Sequence, residues 1–177
     1  VVRYVDRIDE EKRQVWFRAS GRNRRQDPYL MHYYRVNFDG TGLTALTKGN
    51  GWHKIVYSPD RKFIIDSYSR VDLPPVHELR RVSDGKLVCK LERADVSELK
   101  AEGWKPPEVF KAKGRDGKTD IWGIVCRPTD FDPKKKYPVL ESMYAGPHDS
   151  YVPKQFSSGR PFSTWTDMGF VVVKMDG

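Results

Sequence analysis

The sequence predicts a mixed fold in which antiparallel β-propeller blades are followed by the beginning of an α/β sheet. Three observations support this prediction. Short strand-like runs separated by turn signals fill the first ~95 residues, and part of that pattern repeats at the length of one blade. After residue 95 the pattern changes to helical and longer apolar segments.

The composition is that of a folded chain with a core. Of its 177 residues 38% are hydrophobic and 32% are charged, which excludes an intrinsically disordered chain. No apolar run approaches the roughly 18 residues of a membrane helix, and the opening residues 1–6 do not form a signal peptide. Because the chain does not begin with Met, we expect it to be part of a longer protein.

The first part reads as a series of short strands. Alternation predicts that Tyr34, Val36 and Phe38 share one face of the second strand. The predicted strands span 14–20, 32–38, 43–47, 54–57, 63–68, 76–82 and 87–91.

A repeat connects these strands. The pattern of residues 34–40 recurs in residues 80–85, and Arg35 and Arg81 are 46 residues apart. Residues 15–17 correspond to residues 63–65 at a similar distance. A period of ~40–50 residues with four strands is typical of a propeller blade. The turn Ser58-Pro59-Asp60 between two strands is common in the inner hairpin of such blades. The same strand lengths permit an antiparallel sandwich, but the repeat favours the propeller.

Isolated histidines and cysteines suggest packing rather than chemistry. His32, His53 and His77 are scattered among strands without an acidic or Cys partner at ligand spacing, so no metal site is predicted. Cys89 and Cys126 lie in apolar, strand-like contexts, and we expect both to be buried.

The net charge of +8 comes partly from the cluster Arg22-Asn23-Arg24-Arg25. Clustered arginines attract phosphate, so nucleic-acid binding is one hypothesis. The segment contains no aromatic side chain to stack on bases and is rich in loop-forming residues. We therefore predict a solvated hairpin loop and no nucleic-acid partner.

A short helix and a stiff joint separate the two parts. Residues 95–103 predict a helix with Asp95 as N-cap, Glu98 at the capping-box position and Gly103 as the stop. Trp104-Lys105-Pro106-Pro107 follows, and paired prolines favour extended chain. The predicted domains are 1–95 (propeller blades), 96–107 (helix and joint) and 108–177 (the start of an α/β domain).

The second part predicts a hairpin and then an α/β unit. Residues 108–112 and 121–127 flank the turn Asp116-Gly117, and a polar loop follows at 128–136. A buried-type strand is predicted at 137–144, a helix at 161–168 and an apolar strand at 168–177.

Several motifs of this sequence together resemble a known family. The strand Tyr137-Pro138-Val139-Leu140 leads into Tyr144-Ala145-Gly146-Pro147, after the turn Asp116-Gly117 and the hairpin end Cys126-Arg127-Pro128. This order is similar to the opening of the α/β-hydrolase domain in the dipeptidyl peptidase IV branch of the prolyl oligopeptidase superfamily. The resemblance covers essentially all 177 residues and extends to 72–75, 92–95 and 103–104, which look like bacterial members.

The resemblance implies a function for the parent protein. It implies a serine exopeptidase that releases N-terminal dipeptides, with Pro or Ala preferred in the penultimate position, through an acyl-enzyme and without a cofactor or metal. The position that matches the family's oxyanion-hole donor is Tyr144. The implied partner is a peptide substrate, a homodimeric parent is one arrangement that the family allows, and a periplasmic or extracellular location is favoured over others.

The catalytic triad of such an enzyme is missing from these residues. Triad catalysis in this fold needs a serine on a Gly-x-Ser-x-Gly elbow, then an acid, then a histidine. Ser157-Ser158-Gly159 lacks the preceding glycine, and His148 comes too early in the chain for the triad histidine, so a surface role is expected for it. We therefore expect a fragment that is inactive alone. The alternative is a non-catalytic propeller binding module.

Overall fold

The computed structural model describes residues 1–144, 146 and 149–176. The chain forms two compact units, Val1–Ala94 and Asp95–Gly177, which are described separately. Within the described residues, no helix is long and apolar enough to cross a membrane.

The first unit consists of two four-stranded antiparallel meanders, each with its strands in sequential order. This architecture is consistent with propeller blades. The first sheet contains β1 (Val2–Asp9), β2 (Gln14–Ala19), β3 (His32–Asn37) and β4 (Thr44–Ala45). The second contains β5 (Trp52–Tyr57), β6 (Phe63–Arg70), β7 (Leu73–Arg81) and β8 (Leu87–Arg93).

The sequence repeat corresponds to equivalent positions in the two sheets. Trp16 on β2 pairs with Arg35 on β3, and Ile64 on β6 pairs with Arg80 on β7, so the structural counterpart of Arg35 is Arg80, one residue before the Arg81 that the sequence repeat aligns with it. Trp16 and Ile64 are both buried, with exposed fractions of 7% and 0%. The strand-like segments that the sequence repeats are therefore the second and third strands of each sheet.

Apolar side chains from both sheets form one core. Burial of each large apolar side chain contributes on the order of 1.5–3 kcal/mol. Phe38 was predicted to share a strand face with Tyr34 and Val36, but β3 ends at Asn37 and Phe38 lies exposed in the turn beyond it, under the guanidinium of Arg13. The core comprises Trp16, Tyr33, Leu46, Ile64 and Val82.

Two features of the first unit differ from the sequence predictions. Strand β1 was not predicted, because its apolar residues at positions 2, 4, 5 and 8 do not alternate regularly with its charged residues. Cys89 is exposed, contrary to the prediction, because every residue of the outermost strand β8 is exposed. The loop that contains Arg22 and Arg25 does connect two strands, β2 and β3, as predicted.

The second unit is built on one mixed sheet in the order β11-β12-β10-β9. Strands β11 and β12 are parallel, and the other neighbours are antiparallel. Ile124, Cys126, Val171 and Val172 are buried. The elements are α1 (Ser97–Ala101), β9 (Glu108–Lys113), β10 (Asp120–Cys126), β11 (Val139–Tyr144), α2 (Ser163–Asp167) and β12 (Val171–Asp176).

The ends of α1 follow the sequence prediction in part. Val96, not Asp95, occupies the N-cap position, and no side chain caps the helix from there. Asp95 lies one residue earlier and accepts a hydrogen bond from the amide of Ser97 at 2.8 Å. Gly103 has φ = +83° and ends the helix as predicted, because a residue without Cβ adopts this conformation at little cost.

Candidate active site

Tyr144, the residue predicted from the sequence, is the last residue of β11. Its neighbour across the parallel pair is Asp176, the last residue of β12. Ligands of α/β sheets bind beyond the carboxyl ends of parallel strands. The local topology therefore places a phenol and a carboxylate at the edge of the sheet where such sites form.

The phenol of Tyr144 is accessible and has close neighbours. The side chain is 45% exposed, and its ring stacks on Tyr151 with centroids 4.5 Å apart and planes at 28°. A Cβ atom at Gly146 would overlap the ring and would lie 2.5 Å from its hydroxyl oxygen. The backbone at Gly146 thus passes directly against the phenol. Ala145 and Pro147, the other members of the predicted motif, lie outside the described residues.

Asp176 organises the segment that carries Tyr151. Its Oδ2 accepts a hydrogen bond from Ser150 Oγ at 2.8 Å, and its Oδ1 accepts from the amides of Tyr151 at 2.7 Å and Val152 at 3.3 Å. Lys154 Nζ lies 3.8 Å from the same carboxylate. Sequence reasoning did not identify Asp176, although an acidic residue at the end of an apolar strand was a usable signal.

A positive charge lies over the aromatic group. Lys174 Nζ, two residues before Asp176 on β12, is 4.5 Å from the centroid of the Tyr151 ring and 5.7 Å from that of Phe162. Cation–π contacts of this kind hold an ammonium near aromatic faces. Tyr151, which stacks on Tyr144, therefore has an ammonium near its ring and a carboxylate bound to its amide.

The sequence analysis excluded Ser157, Ser158 and His148 from the catalytic triad. Ser157 and Ser158 are in the irregular segment that precedes α2, without a strand leading into them. His148 lies outside the described residues. Neither serine has the strand–turn–helix context of a nucleophile elbow.

His53 has an acidic partner that its spacing in the sequence did not reveal. His53 Nδ1 lies 2.7 Å from Asp66 Oδ1, and both side chains are fully buried. The partner was missed because it comes from the next strand, 13 residues on, where only strand pairing brings it close. Arg80 lies 3.2 Å from the other oxygen of Asp66 and also bonds Glu78, so the cluster is a buried network of opposite charges.

This histidine–carboxylate pair is structural. The remaining ring nitrogen of His53, Nε2, donates to the carbonyl oxygen of Gly49 at 2.8 Å. A histidine that acts as a general base must present a free nitrogen to the nucleophile. Since both nitrogens face oxygen acceptors, His53 cannot take a proton from a serine in this arrangement.

His32 packs against the same cluster. Its ring centroid lies 4.6 Å from that of His53. Burial, and secondarily the charge of His53, lower the pKa of His32 from 6.5 to about 4. The ring nitrogens of His32 lie 2.9 Å from the side-chain oxygen of Gln26 and 3.3 Å from that of Thr47. A neutral imidazole can make both of these hydrogen bonds.

The remaining side chains of the described residues show neither a metal site nor a reactive thiol. No group of three or more His, Cys, Asp or Glu side chains among residues 1–144, 146 and 149–176 could hold a metal ion. Burial raises the pKa of the Cys126 thiol to about 11, which keeps it in the weakly reactive protonated form. Cys126 lines a cavity of about 250 Å³ in the second unit, together with Pro128 and Arg160, and Tyr144 does not line it.

Comparison with known proteins gives one consistent answer. Residues 1–75 match the family model described as the dipeptidyl peptidase IV N-terminal region. Dipeptidyl peptidase 8 of Homo sapiens is 29% identical over an alignment of 178 positions, which covers 96% of this chain and 19% of the relative. Dipeptidyl-aminopeptidase B of Aspergillus niger is 28% identical over 174 residues, again 96% of this chain and 19% of the relative.

The solved structures agree in fold. Dipeptidyl peptidase 4 of Porphyromonas gingivalis matches with a TM-score of 0.74 and 24% identity, over 99% of this chain and 24% of that one. The chain thus spans about a fifth of the length of the curated relatives that it matches, at 19% for both.

Proposed function

Because this chain is a dipeptidyl peptidase IV-like member of the prolyl oligopeptidase family, we propose that it is part of a serine exopeptidase that removes N-terminal dipeptides. The relatives are named dipeptidyl peptidases, and we extend that activity to the longer protein to which these residues belong. We also propose a preference for Pro or Ala in the penultimate position of the peptide. No cofactor enters this proposal.

Membership in this family also suggests a role for each part of the chain. Residues 1–95 would be blades of a β-propeller, 96–107 a connecting helix and joint, and 108–177 the first part of an α/β-hydrolase domain. The parallel pair β11 and β12 supports the last assignment, because parallel strands are the basis of such sheets. The two matching four-stranded meanders support the first.

One observation carries the catalytic proposal: Tyr144 presents an accessible phenol at the carboxyl end of a parallel strand. We propose that its hydroxyl donates a hydrogen bond to the oxyanion of the tetrahedral intermediate during acyl transfer. A donor held where negative charge develops stabilises the transition state more than the ground state, and its loss costs about 10²–10³ in turnover.

The test of this role is Tyr144→Phe in the full-length protein. The substitution removes the hydroxyl and retains the ring that stacks on Tyr151. We expect kcat for a Gly-Pro or Ala-Pro chromogenic dipeptide to fall about 10²–10³-fold, with a smaller change in KM. An unchanged kcat would exclude Tyr144 as the oxyanion donor.

A matched control is Tyr4→Phe, which removes a phenol hydroxyl from an exposed strand of the first unit. We expect this variant to retain the activity of the unmodified protein. A similar loss in both variants would point to a general effect on folding.

The 177 residues by themselves contain no Gly-x-Ser-x-Gly elbow. We therefore expect the purified chain, with its mass verified, to show no hydrolysis of the same dipeptide substrates. Turnover by this chain would contradict the proposed division of the catalytic groups, in which the nucleophile lies outside these residues.

A further inference from the structure

We propose that Asp176 is a positioning residue for Tyr144, and that it acts through Ser150 and Tyr151. This inference rests on the proposed role of Tyr144 as the oxyanion donor. It concerns the described residues 144, 150, 151 and 176, all in the second unit.

The first step is the attachment of the segment to β12. The carboxylate of Asp176, 13% exposed, binds one hydroxyl and two consecutive backbone amides of residues 150–152. Hydrogen bonds to a carboxylate are shorter and stronger than those between neutral groups. Because two of the three donors belong to the backbone, the carboxylate holds the chain itself and not only a side chain.

The second step is the contact between the two rings. The backbone amide of Tyr151 donates a hydrogen bond to Asp176 at 2.7 Å. The ring of the same residue stacks on the ring of Tyr144, with the two centroids 4.5 Å apart. Tyr144 and Tyr151 are 45% and 56% exposed, so about half of the surface of each residue is open to solvent. Their mutual stacking is therefore a main restraint on the direction of the Tyr144 hydroxyl.

The third step is the consequence for catalysis. An oxyanion donor works only within a few tenths of an ångström of its productive position, and a displacement of about 1 Å can cost ~10²-fold in rate. If Asp176 releases the segment, Tyr151 no longer constrains Tyr144, and the hydroxyl spends less time at the oxyanion. We expect Asp176→Ala to lower kcat about 10- to 100-fold while KM changes little.

The experiment is a double-mutant cycle in the full-length protein with Asp176→Ala, Tyr144→Phe and the combined variant, assayed on a Gly-Pro chromogenic dipeptide. If Asp176 acts through the Tyr144 hydroxyl, Asp176→Ala should lower kcat in the unmodified protein but by less than about 3-fold in the Tyr144→Phe background. A merely structural role would lower kcat by the same factor in both backgrounds, and that result would overturn the inference while leaving the role of Tyr144 intact.

The matched carboxylate control is Asp167→Ala, which removes an exposed ion pair with Arg160 in the same unit. It should retain full activity. If Tyr144→Phe itself has no effect on kcat, the oxyanion role of Tyr144 fails, and the inference fails with it. The two failures are therefore distinguishable in one set of measurements.

Substitutions at two further positions keep the inference testable if Asp176→Ala loses its thermal unfolding transition. Tyr151→Ala removes the stacked ring, whereas Tyr151→Phe retains it, so the phenylalanine variant should recover most of the kcat that the alanine variant loses. Ser150→Ala removes one of the three hydrogen bonds and should give a smaller loss, again coupled to Tyr144. Equal activity of Tyr151→Ala and the unmodified protein would overturn the inference.

Discussion

The ring of Tyr144 leaves no room for a side chain at Gly146. A Cβ atom there would overlap Cε1 of the ring and would lie 2.6 Å from Cζ. The ring is the far end of an exposed side chain, so it can move away, but only by changing the direction of its hydroxyl. At the scale of the residue, glycine at this position is thus a requirement of the candidate site.

We expect Gly146→Ala to lower kcat of the full-length protein on dipeptide substrates about 10- to 100-fold, because the displaced phenol leaves its productive position. The measurement is steady-state kinetics beside a thermal melt. Gly159→Ala is the matched control, since a Cβ atom there meets only Ser157 Oγ at 3.6 Å. Equal activity of the two variants would show that the ring and the glycine are not coupled in function.

At the scale of elements, two turns occupy equivalent places in the two sheets. Asp39-Gly40 follows β3 and Asp84-Gly85 follows β7, and each aspartate accepts a hydrogen bond from the amide two residues on. The glycines have φ = +81° and +66°, in the region that residues with Cβ rarely adopt. Their surroundings differ, because a Cβ atom at Gly85 would overlap the carbonyl oxygen of Ala45, whereas one at Gly40 would have no described atom within 4 Å apart from Gly40 and its two chain neighbours.

This difference predicts unequal costs for the same substitution. Gly40→Ala should lower the free energy of unfolding by about 1–2 kcal/mol, which is the cost of the left-handed conformation alone. Gly85→Ala should lower it by about 2–5 kcal/mol, because steric overlap with backbone adds to that cost. Urea unfolding curves of the two variants test this. Equal shifts of the midpoint would contradict the close approach at Gly85.

At the scale of the whole molecule, buried ionisable groups link stability to pH. His32 is 3% exposed, and its folded-state pKa is about 4 against 6.5 for an ordinary histidine. Between these values the unfolded chain binds a proton at this site that the folded chain does not. The free energy of unfolding must therefore fall as the pH falls from 6.5 towards 4.

We expect this histidine to reduce the stability of the protein by roughly 3 kcal/mol between pH 7 and pH 4. The surface turn residues Asp84 and Asp116, each with a pKa of about 2, titrate below this window. His32→Gln should flatten the dependence of the unfolding free energy on pH in this range. Urea unfolding at several pH values is the measurement, and parallel curves for both proteins would contradict the prediction.

Much of the local structure could be predicted from the sequence because it depends on neighbours in the chain. The turn at Ser58-Pro59-Asp60 forms with Ser58 Oγ donating to Asp60 at 2.7 Å, and the stop at Gly103 needs only that residue's own conformational freedom. The end of the strand at Tyr144 could also be predicted from the sequence. What failed was strand β1, which carries no regular period, and the burial of Cys89, which depends on its place at the edge of a sheet.

The sequence by itself determined the repeat of strands, the turns between them and the position of Tyr144 at the end of an apolar strand, because these follow from local conformational preference and side-chain alternation. Only the tertiary structure decided which distant groups meet. It brings Asp66 to His53 and occupies the second nitrogen of that histidine with Gly49, and it brings Asp176 to the segment that stacks on Tyr144. Such pairings depend on strand register and sheet order, which place residues far apart in the chain within hydrogen-bonding distance.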